Sequence, residues 1–156
     1  MRSLFRLILC ITFFSVFGLP AHADDGVTPD SVRSLTRQAV AVLQKEDVGT
    51  ARQHFMNDGP FRRGQIYVNV IDTNGTWVIY PPNPRNEGRS VLNVRDADGK
   101  LLVQEILAVA ASPAHEGWVK YRWLNPESNH IEQKMSYVMA VPGKTLVTYI
   151  GLYYNP

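Results

Sequence analysis

At 156 residues the chain is long enough for one domain with a core of its own. Its 16 basic and 14 acidic side chains leave no excess of the kind that marks a nucleic-acid or anionic-membrane surface. A single cysteine excludes an internal disulfide framework.

The first segment does not belong to the core. Arg2 and Arg6 precede the apolar run LILCITFFSVFGLP, and Ala21-His22-Ala23 supplies small residues where a signal peptidase cuts. Residues 1–23 therefore read as a secretory signal peptide and 24–156 as one exported domain, periplasmic or secreted. The run falls short of the about 20 apolar residues of a comfortable membrane span; a retained anchor is the alternative, and only then would the protein touch the membrane. Cleavage removes two arginines and Cys10, leaving fourteen basic and fourteen acidic side chains and no thiol.

Residues 28–45 read as a helix, with Thr28 as cap, Pro29 in the first turn and an apolar stripe of Val32, Leu35, Ala39, Val42 and Leu43. Asp47 caps a second, shorter helix through Phe55, which NDGP ends. From residue 65 the period changes. QIYVNVID, the Asn74-Gly75 turn and TWVIY form a hairpin. PPNPRNEG is a loop, because three prolines cannot donate to a ladder. DADGKLLVQEILAVAAS returns to helical spacing, with Asp98 as expected cap and Leu102, Val103, Ile106, Leu107 and Ala110 on one face. GWVKYRWL, QKMSYVMAV and KTLVTYIGLYY follow as three strands. Strands joined by short turns are antiparallel, so the fold class is α+β with a five-stranded antiparallel sheet covered by helices.

Few motifs carry chemistry. Aligning DADG with a calcium loop puts Asp96, Asp98 and Glu105 on ligand positions, but the first position is Val94, which has no side-chain oxygen. His54, His115 and His130 are scattered, with no cysteine left to join them. No G-x-S-x-G elbow, triad pattern or phosphate-cradling glycine loop is legible. No metal, no cofactor and no catalysis are expected.

What remains is aromatic. Strand alternation puts Val119, Tyr121 and Trp123 on one side of their strand and Trp118, Lys120 and Arg122 on the other. Tyr67, Asn69 and Ile71 share a face of the first hairpin strand, and Asn69 is the odd polar member. A tyrosine-rich sheet face beneath a proline-stiffened loop matches the make-up of a small-ligand pocket.

The ordered motifs from about Asp47 to Tyr154 resemble the single Cache domains of bacterial extracytoplasmic sensors. They are F-x-x-G-x-x-Y, the D-x-x-G turn, a proline loop leading to N-x-x-D-x-D-G-K, then G-W-V-x-Y-x-W-x-N-P, K-x-S-Y and a closing G-x-Y. The resemblance implies a PAS-like sheet with a long N-terminal helix, a short second helix and a loop–helix crossover over a pocket. It also implies a small metabolite there, often a short carboxylate, and a signal handed to a kinase or chemotaxis module. By position, Tyr67, Tyr121, Trp123, Lys134 and Tyr137 become wall and handle candidates. Tyr80, where many relatives carry a histidine before proline, and Asn69, where they carry an aromatic, complete the expected site. With no signalling module after Pro156, the expectation is a free-standing sensor domain that presents its ligand to a membrane kinase or chemoreceptor. The alternative is a non-catalytic interaction or structural module whose pocket is filled by its own aromatics.

Overall fold

The computed structural model describes residues 26–125 and 127–154, so the signal segment read at 1–23 lies outside the described residues. The elements are α1 (Pro29–Lys45), α2 (Val48–Met56), β1 (Arg62–Arg63), β2 (Ile66–Asp72), β3 (Trp77–Ile79), α3 (Leu102–Ala110), β4 (Glu116–Leu124), β5 (Ile131–Ala140) and β6 (Leu146–Tyr153). The five expected strands are present, and the two-residue β1, paired with the start of β2, is an addition. No helix among the described residues is long and apolar enough to cross a membrane.

Local chemistry sets the helix starts. The Thr28 side chain accepts from the Ser31 N–H at 3.1 Å, and the Ser31 side chain accepts from the Thr28 N–H at 2.9 Å, closing a reciprocal cap. Asp47 accepts from the Thr50 N–H at 3.0 Å and starts α2. The third helix corrects the expectation for Asp98. It begins at Leu102 with no side-chain cap, and the Leu102 N–H bonds the Val94 carbonyl instead. Asp96 organises this corner, accepting from the Asp98 and Lys100 N–H groups at 3.0 and 2.9 Å, while Asp98 turns outward to Arg122 at 3.0 Å. The stretch between aspartate and helix is a turn, so Asp98 is too far from the first helical N–H groups to serve them.

The sheet runs β1-β2-β6-β5-β4, with β3 on the β1 side of β2 and every pairing antiparallel. The first hairpin thus lies against the last strand, and the segment between them crosses one sheet face. Alternation divides the strands between two cores. Val68, Val70, Ile150 and Leu152 meet α1 and α2, where Phe55 sits edge-on to Phe61 at 5.1 Å. Ile71, Val119, Val138 and Val147 meet α3 through Leu102, Val103 and Ile106. The hairpin turn needs both Gly75 and Asp72. Gly75 takes a left-handed φ of 76°, and the Asp72 carboxylate accepts from the Asn74 and Thr76 N–H groups at 2.9 and 2.8 Å.

Candidate functional site

The face of the sheet under α3 gathers tyrosines. Tyr67 on β2, Tyr121 on β4 and Tyr149 on β6 point to one side, because each occupies an inward position of its strand. Together with Asn69, Trp77, Tyr80, Val94, Leu102, Val103 and Trp123 they surround a cavity of about 30 Å³. Burial pushes the Tyr67, Tyr121 and Tyr149 hydroxyls well above their ordinary titration range, so all three stay protonated as neutral donors. Tyr121 is already engaged, at 2.8 Å from the Ser136 hydroxyl.

Lys134 on β5 stands behind this wall and reaches it through Tyr67. It is 2% exposed, and its ammonium donates to the Tyr67 hydroxyl at 2.8 Å. The Nζ also lies 4.6 Å from the Tyr67 ring centre and 4.3 Å from that of Tyr153. No carboxylate among the described residues pairs with it. Burial without a counter-ion lowers its pKa to about 7. The floor beneath it is Gly151, opposite Ser136 in the ladder. A Cβ at Gly151 would come within 2.5 Å of Lys134 Cε and 2.6 Å of Ser136 Oγ, so only glycine leaves room for the lysine stem.

The proline loop closes the other side. Glu87 accepts from the Tyr80 N–H at 3.0 Å and pairs with Arg52 of α2 at 2.9 Å, tying the loop to the helical layer. Trp77 and Tyr80 stack with ring centres 3.9 Å apart. Beyond Tyr67, an outer hollow of about 240 Å³ is lined by Arg62, Gly64, Ile66, Tyr67, Pro81 and Pro82. Tyr67 separates the two spaces.

This architecture has known counterparts. The family model described as Single Cache domain 2 matches residues 38–155. The chain belongs to the single Cache domain 2 family. The sensor histidine kinase MctS of Rhizobium johnstonii is 29% identical over 117 residues, which are 75% of this chain and 22% of that protein. The chain thus spans about a fifth of that relative's length. Among solved structures, the periplasmic sensor domain of a chemotaxis protein is 27% identical, with a TM-score of 0.65 over 81% of this chain and 94% of that one. A Cache chemosensory domain solved for carboxylic acid recognition is 23% identical, with a TM-score of 0.68 over 81% and 92%. This Cache domain is homologous to the sensor domains of a histidine kinase and a chemoreceptor, and its sheet and crossover are the PAS-like ones expected.

Of the seven residues singled out from sequence, Tyr67, Asn69, Tyr80, Tyr121 and Trp123 line the inner cavity and Lys134 adjoins it. Tyr137 does not. It lies three positions from Lys134 on a regular strand, so alternation turns it to the opposite face, under α1. There it packs edge-on to Trp118 at 5.0 Å, beneath the Arg33 guanidinium at 5.3 Å. Trp77, Tyr149, Tyr153, Ser136 and Gly151 were missed. The alternation of Tyr149, Gly151 and Tyr153 in TYIGLYY was the available signal, since three inward positions in a row bear two tyrosines and a gap.

Proposed function

We propose that this Cache domain is an exported, non-catalytic sensor module that binds a short carboxylate between the tyrosine-bearing sheet face and the proline loop. Occupancy is passed to a membrane kinase or chemoreceptor. One observation carries this reading: Lys134 is a buried ammonium without an anionic partner among the described residues, held by Tyr67 beside a ring of neutral hydroxyl donors. Such a cation gains most from a ligand that brings the missing charge. At 23% identity the carboxylic-acid-binding relative supports the fold alone, so the ligand class rests on Lys134. The cavity of about 30 Å³ has room for roughly two waters. Entry of an acid therefore requires Tyr67 and the loop 80–91 to move toward the outer hollow.

The test is a thermal-shift series on residues 24–156 with acetate, propanoate and butanoate, followed by calorimetric titration of wild type and Lys134→Met. A ligand at about 100 times its Kd adds about 2.7 kcal/mol to stability. Unchanged affinity in Lys134→Met would remove the carboxylate handle. Recovery of the acid unaltered after incubation supports binding without turnover; a new product would overturn it. For export, the intact mass of periplasmic protein is expected to begin at Asp24, and a chain retaining residues 1–23 in the membrane fraction would replace cleavage with anchoring.

The small cavity and the Trp77–Tyr80 stack favour a second reading, a structural or interaction module whose aromatics fill their own pocket. Absence of any melting shift across carboxylates, amines and nucleobases selects it.

A further inference from the structure

Two polar atoms in the cavity wall lack hydrogen-bond partners among the described residues. Asn69 is 4% exposed, and its Nδ2 donates to the Tyr149 carbonyl across the ladder in a long 3.5 Å contact. That contact assigns the amide nitrogen to the carbonyl and leaves Oδ1 buried without a donor. The Trp77 Nε1–H is likewise buried without an acceptor. Both residues line the same inner cavity, and the Tyr149 hydroxyl, which the Trp77 side chain faces, does not complete a hydrogen bond to Nε1. An unpaired buried acceptor and donor each cost free energy that a suitable ligand recovers.

A hydroxyl is the smallest group that donates to one atom while accepting from another. Asn69 follows Tyr67 as the next inward position of β2, and the Tyr67 hydroxyl holds the Lys134 ammonium. The cavity wall therefore carries a buried acceptor and a buried donor, and Tyr67 links that wall to the Lys134 ammonium. We infer that the pocket selects 2-hydroxycarboxylates over unsubstituted acids of the same length, with the carboxylate on Lys134 and the hydroxyl between Asn69 and Trp77. This inference rests on the carboxylate reading above and adds to it the second point of recognition.

The chemistry excludes near relatives of such a ligand. A 2-oxo acid satisfies Trp77 but sets its ketone oxygen against the Asn69 oxygen. A 2-amino acid donates to Asn69 but brings a second cation toward Lys134 and offers Trp77 no acceptor. An unsubstituted acid leaves both atoms unpaired.

Calorimetric titration of wild type with propanoate, 2-hydroxypropanoate, 2-oxopropanoate and alanine at pH 6.5 tests this. Two restored hydrogen bonds predict that 2-hydroxypropanoate binds at least about tenfold more tightly than propanoate. Asn69→Leu and Trp77→Phe should each collapse that ratio toward one. Equal affinities for propanoate and 2-hydroxypropanoate in wild type would overturn the inference and leave the carboxylate reading standing. Loss of binding to all four would overturn both. A ratio that survives Asn69→Leu in a protein with an unchanged melting curve would also overturn it, because the hydroxyl would then lie elsewhere.

Discussion

Replacing Lys134 with methionine removes a buried charge while keeping most of the stem's volume, and the effect should appear in how stability depends on pH. Burial lowers the ammonium from its ordinary 10.5 to about 7. In the unfolded chain the ordinary value returns, so between the two the unfolded state carries a proton that the folded state lacks. The stabilisation from this group is therefore fully present above 10.5 and is lost as pH falls to about 7. Each unit within that window is worth about 1.4 kcal/mol. Between about pH 9 and pH 7, wild type should lose roughly 2–3 kcal/mol relative to Lys134→Met. Burial moves Tyr67, Tyr121 and Tyr149 upward, away from this range, so they do not mask the slope. Urea unfolding followed by far-UV circular dichroism at half-unit steps measures it. The advantage of the variant is expected to be largest at the low end and to shrink toward pH 9. Parallel curves would mean that the ammonium stays hydrated in the fold, and the argument from a buried, unpaired cation would fail with it.

Three further outcomes follow from other contacts. Gly151→Ala places a Cβ 2.5 Å from Lys134 Cε, so it should cost about 1–3 kcal/mol and displace the ammonium, which weaker propanoate binding and a lower urea midpoint would report. Tyr121→Ala removes a buried ring from the cavity wall and should destabilise by about 3–5 kcal/mol, whereas Tyr121→Phe strands the Ser136 hydroxyl for about 1–3 kcal/mol; equal midpoints for the two variants would contradict this. Asp72→Ala takes the acceptor from two turn N–H groups and should cost about 1–2 kcal/mol without changing propanoate affinity, since the turn belongs to the hairpin rather than the cavity wall.

Much of this protein was legible in its sequence because local rules governed it. Thr28 and Asp47 capped their helices as read, since a cap needs only the residue and the N–H groups three positions on. Asn74-Gly75 turned the first hairpin, and alternation set Tyr67 and Asn69 on one face and Tyr121 and Trp123 on another strand's matching face. Asp98 shows where local reasoning stopped: the carbonyl that receives the first helical N–H belongs to Val94, eight residues back, and a cap rule does not look that far. Tyr137 shows the limit of position matching, because the same alternation that puts Lys134 under α3 turns Tyr137 under α1. Only the tertiary structure decided what Lys134 does. Its partners come from β2 and the last strand, through Tyr67, Tyr153 and the gap at Gly151, and antiparallel pairing of strands far apart in the chain brings them together. A lone lysine on a strand reads as a solvated edge charge. Depth, and the lack of a counter-ion among the described residues, single it out as the candidate handle, and both are properties of the packed sheet.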